Sequence, residues 1–190
     1  DDAAWAVANE GVFNGYDGTD NDVTCRLLWQ NQPDRIFGCC SIVDDDLEAD
    51  ITTDDTDDIW QDDSIELMLA AGLDDTLNGD DFKVIINVAN ATWDADFVTN
   101  NNVSADFALS SAVVVMGSLN NGSADVGWDV EWAMDAPFAV DPELRARCEM
   151  MLNDSDGDQR FRRKWHGSGD GYVNVPAQWA DCRYACDFAL

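Results

Sequence analysis

The stretch Ile59-Trp60-Gln61-Asp62-Asp63-Ser64-Ile65-Glu66-Leu67-Met68 decides the fold. From Ser64 its side chains split by parity: Ile65, Leu67 and Leu69 fall on one face, Ser64, Glu66 and Met68 on the other. That is the period-two pattern of a strand with one face in a core. It offers Trp60 and Glu66 to the outside, a flat apolar ring beside a hydrogen-bond acceptor, which suits the face of a sugar and its hydroxyls. A Trp at a strand start also serves as a core plug or an edge cover, so both readings of Trp60 stand.

The same alternation recurs on either side. Val23, Cys25, Leu27 and Trp29 share a face, and residues 35–43 form a second run. Further runs cover 82–88, 111–116, 126–134, 144–152 and 180–188. Gly, Asn and Asp clusters at 15–22, 78–81, 120–122 and 154–158 punctuate them, as turns between short strands do. Residues 141–151 can be drawn as a helix, but their parity fits a strand. The expectation is an all-β antiparallel sandwich forming a single domain over 1–190.

With 46% apolar residues, the chain can fill a core despite a formal net charge of −29. Such a field repels nucleic acid and anionic membranes, and no apolar run is long enough to span a bilayer. No leader peptide is visible, so the sequence reads as a mature chain. Of the 39 acidic residues only six are Glu, leaving 33 Asp. Short carboxylates on loops suit calcium, and scattered ones also suit solvation in high salt. The candidate metal positions are Asp154, Asp156 and Asp158, and Asp44 and Asp46 with Asp50. The first group alternates like a calcium loop, but Trp165 stands where an EF-hand would place its late Glu. Calcium is the cofactor to expect, and no organic one.

The six cysteines, Cys25, Cys39, Cys40, Cys148, Cys182 and Cys186, read as a disulfide framework made in an oxidising compartment. Cys182 and Cys186 would lie roughly 13 Å apart along a strand, too far to bond one another. Cys39 and Cys40 point to opposite faces and so take different partners; the pairings stay open. A single His, His166, and no CxxC pair leave no zinc site. Sequons at Asn90, Asn102, Asn121 and Asn153 add to the picture of a secreted glycoprotein. One His assembles no catalytic triad and nothing marks a carboxylate pair, so no enzyme is expected.

Five segments, in order, resemble the family 9 carbohydrate-binding modules (CBM9), β-sandwiches attached to secreted glycan-degrading enzymes. They are Asp1-Asp2-Ala3-Ala4-Trp5, the strand from Val23 to Trp29, the strand and acidic turn from Ile36 to Asp46, the Trp-x-x-Asp-Ser-x-Glu run from Trp60, and Gly127-Trp128-Asp129-Val130-Glu131. Asn153-Asp154 and the Pro-x-x-Trp ending at Trp179 are similar to the family's tail. Gln30 replaces the Asp that follows the second strand's Trp, and so many cysteines are not usual in the family.

The resemblance implies a CBM9-like, immunoglobulin-like jelly-roll sandwich, here disulfide-stabilised. It also implies a non-catalytic module that clamps a sugar between Trp60 and Trp179, with Glu66 as acceptor and Lys83 and Asn87 on the neighbouring strand. Asn174 and the group Arg160, Arg162 and Arg163 are further candidates on the terminal loop. Trp5, Trp29, Trp128 and Trp132 read as core; Trp93 and Trp165 carry no assignment. The partner is then carbohydrate. The alternative is copies of the chain itself, if the sandwich is a structural extracellular subunit of a surface layer or filament. Haem-binding relatives share the architecture, and here Met116 or Met134 with His166 or a Lys would be the ligands.

Overall fold

A computed structural model describes residues 5, 8, 10–12, 21–73, 75–79, 81–96, 107–139, 145–156, 159–164 and 176–183, with backbone alone at 10–12, 159–164, 178 and 181–183. The described strands are β1 (Glu10–Val12), β2 (Asp22–Asn31), β3 (Asp34–Val43), β4 (Ser64–Ala70), β5 (Phe82–Asn87), β6 (Thr92–Asp96), β7 (Ser110–Met116), β8 (Gly127–Asp135), β9 (Arg145–Asp156), β10 (Gln159–Lys164) and β11 (Ala180–Arg183). They form two antiparallel sheets. One runs β1-β2-β3-β8-β7; the other runs β10-β9-β4-β5-β6, with β11 also paired to β9.

The parity read from the sequence decides which residues meet between the sheets. Val23, Cys25, Ile36, Cys40, Ile42, Trp128, Val130, Trp132 and Met134 come from the first sheet. They pack on Ile65, Leu67, Leu69, Phe82, Val84, Ile86, Met150 and Leu152 of the second. Of the alternation over 141–151, the described part from Arg145 is strand, and β9 continues to Asp156. Trp128 and Trp132 are buried in this core, whereas Trp29 is only partly buried against it. Gly38 stands opposite Trp132 in the β3–β8 register. A Cβ there would lie 2.0 Å from the indole ring, so the absent side chain is what lets the Trp lie flat across β3.

The cysteine expectation needs correcting. Cys25 and Cys40 face each other across β2 and β3 and form a disulfide, and Cys148 is disulfide-bonded too. Cys39 is a free thiol. It points to the outer face, beside Arg26 and Glu131, where no described cysteine can reach it. Burial, then the Glu131 carboxylate, raises its pKa, so it stays protonated at neutral pH. Cys182 is described in its backbone only, and Cys186 lies outside the described residues.

Many Asp side chains fasten loops. Asp62 accepts the Asp50 and Ile51 N–H groups at 3.0 and 3.1 Å, Asp94 accepts Phe107 N–H at 3.0 Å, and Asp125 accepts Ser118 N–H at 2.9 Å. A short side chain reaches a nearby backbone donor without ordering a long stem. Part of the Asp excess is therefore internal bonding rather than surface solvation.

Candidate functional site

A one-turn 3-10 helix, Ile59–Gln61, delivers Trp60 to the outer face of the second sheet just before β4 begins. On that face Glu66 is only 1% exposed. Its carboxylate pairs with the Lys83 ammonium of β5 at 2.6 Å and accepts the Asn153 amide of β9 at 2.8 Å. Asn153 also donates to Ser64 Oγ at 3.0 Å. The Lys83 side chain keeps 14% exposure, and its ammonium lies 5.7 Å from the centre of the Trp93 ring. Trp60, Trp93, Lys83, Ile85, Asp57 and Asp58 line a cleft of about 290 Å3. Two indoles, an ammonium and carboxylates thus share one small opening, with a buried ion pair beneath it.

No protein-family model matches the sequence, and no curated protein matches it. Solved structures do. A CBM9 from Caldicellulosiruptor kristjanssonii in complex with cellotriose superimposes with a TM-score of 0.74 at 14% identity, covering 96% of this chain and 85% of that one. The CBM9 from the same organism in complex with glucose gives 0.73 at 15% identity, covering 96% and 86%. The chain has a CBM9-like fold.

In this CBM9-like sandwich the expected site residues part company. Trp60, Glu66 and Lys83 come together on one face. Trp179 does not form an open wall: it is 1% exposed and packs against Met68, Ala70 and Met151 on the same sheet. Glu66 is likewise sealed beneath Lys83 rather than offered bare to solvent. Trp93 joins Trp60 in lining the cleft. Its strand, Thr92-Trp93-Asp94-Ala95-Asp96, turns Asp94 towards the interior, and that acid hides the alternation that would have flagged Trp93. Asn87 is spent on structure, donating to Ile51 O and Asp62. Asn153, a sequon residue, is buried with its amide nitrogen committed, so it serves the Glu66 network rather than facing solvent. Asn90 and Asn121 stand exposed in turns. Asn174, Asn102, Asp158 and His166 lie outside the described residues, and Arg160, Arg162 and Arg163 are described in their backbone only.

The CBM9-like fold also joins the two separate metal expectations into one. Asp44 and Asp154 meet Asp63, and one carboxylate oxygen from each lies within 4.8 Å of the others. All three are buried, and such a triad can hold a metal ion. Asp46 and Asp156 are not members of it. Burial, then the neighbouring Asp44, pushes Asp63 up to about 9. Yet both Asp63 oxygens accept backbone N–H groups, from Glu48 at 2.6 Å and Ser155 at 2.7 Å, the pattern of an ionised carboxylate. A cation among the three acids would reconcile the two. Among haem candidates, Met134 is fully buried in the core and Met116 lies on the outer face of β7.

Proposed function

We propose that this chain is a secreted, non-catalytic glycan-binding module whose sugar ring enters between Trp60 and Trp93, above the Glu66–Lys83 pair. The cleft they line carries the reading. At about 290 Å3 it sits at the small end of ligand cavities, a size for the end of a glycan rather than a long stretch of it. Indole faces shed water against the apolar face of a pyranose, and Lys83 and Asp57 or Asp58 meet its hydroxyls with charge-assisted hydrogen bonds. The structural neighbours bind glucose and cellotriose, which makes glucose-based glycans the first ligands to try. Trp179 belongs to this reading as support for the platform, and Asn174 as a polar contact from the terminal loop. Calcium is the module's one cofactor, bound away from the sugar. Disulfide bonding and the sequons at Asn90, Asn102 and Asn121 support a location outside the cell.

Calorimetric titration with glucose, cellobiose and cellotriose in calcium-containing buffer tests this. Trp60→Ala and Trp93→Ala are each expected to weaken binding roughly tenfold, the ~1.4 kcal/mol of a lost ring contact. Absence of binding to all three sugars would sink the function; full affinity in both variants would sink the placement.

One observation favours a second reading, a self-associating structural subunit. Val43, Val114, Met116 and Val126 are exposed apolar residues grouped at one corner of the first sheet, beside β7 at the end of its strand order. β7, Ser110–Met116, carries no charge in a chain of net −29. Strand pairing between copies there is expected to grow with salt, as repulsion is screened. Light scattering that shows only monomer in both 0.1 M and 2 M NaCl would rule it out.

A further inference from the structure

The carboxylates around the Trp60–Trp93 cleft divide into those already engaged and two that are not. Glu66 pairs with Lys83 at 2.6 Å, and Asp62 accepts the Asp50 and Ile51 N–H groups. Asp54 accepts both the N–H and the hydroxyl of Thr92, at 2.9 and 3.2 Å. Asp57 and Asp58 are exposed, line the cleft, and have no hydrogen-bond or ion-pair partner for their carboxylates among the described residues. An Asp just before a helix ordinarily caps it by accepting one of the first N–H groups. Asp58 holds that position before Ile59–Gln61 and makes no such bond. Because the Lys83 ammonium already has Glu66 as its counter-charge, the charge left open at the cleft is negative.

Exposure does not leave the two acids loosely placed. Asp58 has a left-handed backbone, φ 68, and its carbonyl accepts Gln61 N–H at 2.7 Å, which fixes it to the turn that carries Trp60. At the other end of the loop, Asp55 N–H donates to Thr92 O at 2.9 Å, beside the Asp54–Thr92 bonds. The loop is thereby tied to the residue that precedes Trp93. Bonding within the loop thus holds Asp57 and Asp58 against both indoles while their carboxylates stay open. The same two acids also line a second cleft, of about 550 Å3, together with Glu48, Asp50 and Asp62. They form the wall common to both clefts, and no Lys or Arg is among the described residues lining the larger one.

We propose that the glycan this module binds is a basic one, a chain of amino sugars. Its terminal ring lies between Trp60 and Trp93 with its ammonium on Asp57 and Asp58, and the next ring continues into the larger cleft. This rests on the glycan-binding reading above and goes beyond it, because two indole faces alone accept any pyranose. An ammonium meets a carboxylate through charge-assisted hydrogen bonds stronger than those of a hydroxyl, and indole faces attract it as well. A neutral sugar leaves both carboxylates without a counter-charge. A uronic acid brings a further negative charge to the opening and is repelled. The rings supply affinity common to all sugars, and Asp57 and Asp58 supply the choice among them.

Calorimetric titration of the full chain at about pH 6, below the range in which such amines lose their proton, tests this. It compares glucosamine with glucose, N-acetylglucosamine and glucuronic acid, and a β-1,4-linked glucosamine trimer with cellotriose. Glucosamine is expected to bind about tenfold more tightly than either neutral monosaccharide in 0.1 M NaCl. In 1 M NaCl, where the screening length falls from ~10 to ~3 Å, the preference should shrink to about twofold. The trimer's preference over cellotriose should exceed the monomer's, because the larger cleft adds its own acids. Asp57→Asn/Asp58→Asn keeps side-chain shape and tolerates the left-handed backbone at 58, and is expected to bring the glucosamine-to-glucose ratio below about twofold. Trp60→Ala should weaken both sugars and leave that ratio near tenfold. Glucose binding with glucosamine no tighter, or glucuronic acid as tight as glucose, overturns the basic-glycan assignment and leaves the glycan reading standing. An unchanged ratio in the double variant, or undiminished glucosamine affinity in Trp60→Ala, places the amine on the acidic surface at large and overturns it too. A trimer preference no greater than the monomer's removes the larger cleft from the site. No binding of any sugar, neutral or basic, overturns the glycan reading and the assignment with it.

Discussion

Lys83→Met is expected to destabilise the protein by about 3–5 kcal/mol, read as a drop in the urea midpoint with an unchanged slope. The magnitude comes from Glu66 rather than from the lysine. Glu66 is 1% exposed, and its carboxylate has Lys83 at 2.6 Å and the Asn153 amide at 2.8 Å. Remove the ammonium, and a buried charge keeps one neutral donor. The double change Lys83→Met/Glu66→Gln is expected to recover most of the loss, since a neutral amide still accepts from Asn153 without needing a counter-charge. Both proteins should fail to bind sugar. Stability regained without binding regained would identify a polar pair kept for its ligand rather than for the fold. If Lys83→Met alone costs under 1 kcal/mol, Glu66 has another partner and this account of the site's floor fails.

Gly38→Val is expected to cost at least about 3 kcal/mol, at or beyond the upper end of ordinary overpacking. The first added carbon alone would lie 2.0, 2.3 and 2.5 Å from three atoms of the Trp132 ring. Trp132 is itself buried between the sheets, so the indole has no open space to swing into. Gly38→Ala should already lower Tm by several degrees, and Gly38→Val should leave little folded protein at 37 °C. Trp132→Leu combined with Gly38→Ala tests the cause: the smaller ring-free side chain should make the alanine far less costly than it is against Trp. Near-wild-type stability for Gly38→Val would mean that the two sheets are packed more loosely than the indole contact implies.

What was legible from the sequence follows the reach of strand parity. Alternation from Ser64 to Leu69 and from Trp128 to Met134 assigns faces correctly, and the segment order pointed to the CBM9-like sandwich. Parity says which way a side chain leaves its strand but nothing about what later packs over it. Trp179 follows a turn, and its burial comes from Met68 and Met151 on two other strands. The same limit hid the role of Asn153, whose partner Glu66 is 87 residues away. Cys39 failed for a different reason: counting cysteines gives an even number, but an outward-facing strand position needs a cysteine beside it on that face. For the metal triad the signal was present. Asp44, Asp63 and Asp154 each continue an inward-facing row by one step, but each looks like the start of a loop when its strand is read alone.

β4 is buried at all seven of its positions, Ser64 to Ala70. Its inner face meets the first sheet, and its outer face lies under the Met68–Met151–Trp179 cluster and the Glu66 network. With β5 and β9 hydrogen-bonded on either side, no local fraying can release it. Its amide protons can exchange with solvent only through opening of the whole domain. The strand at the centre of the candidate sugar site is thus also among the slowest parts of the molecule. A ligand arriving there meets groups already immobilised by folding, and little chain entropy is left to lose on binding.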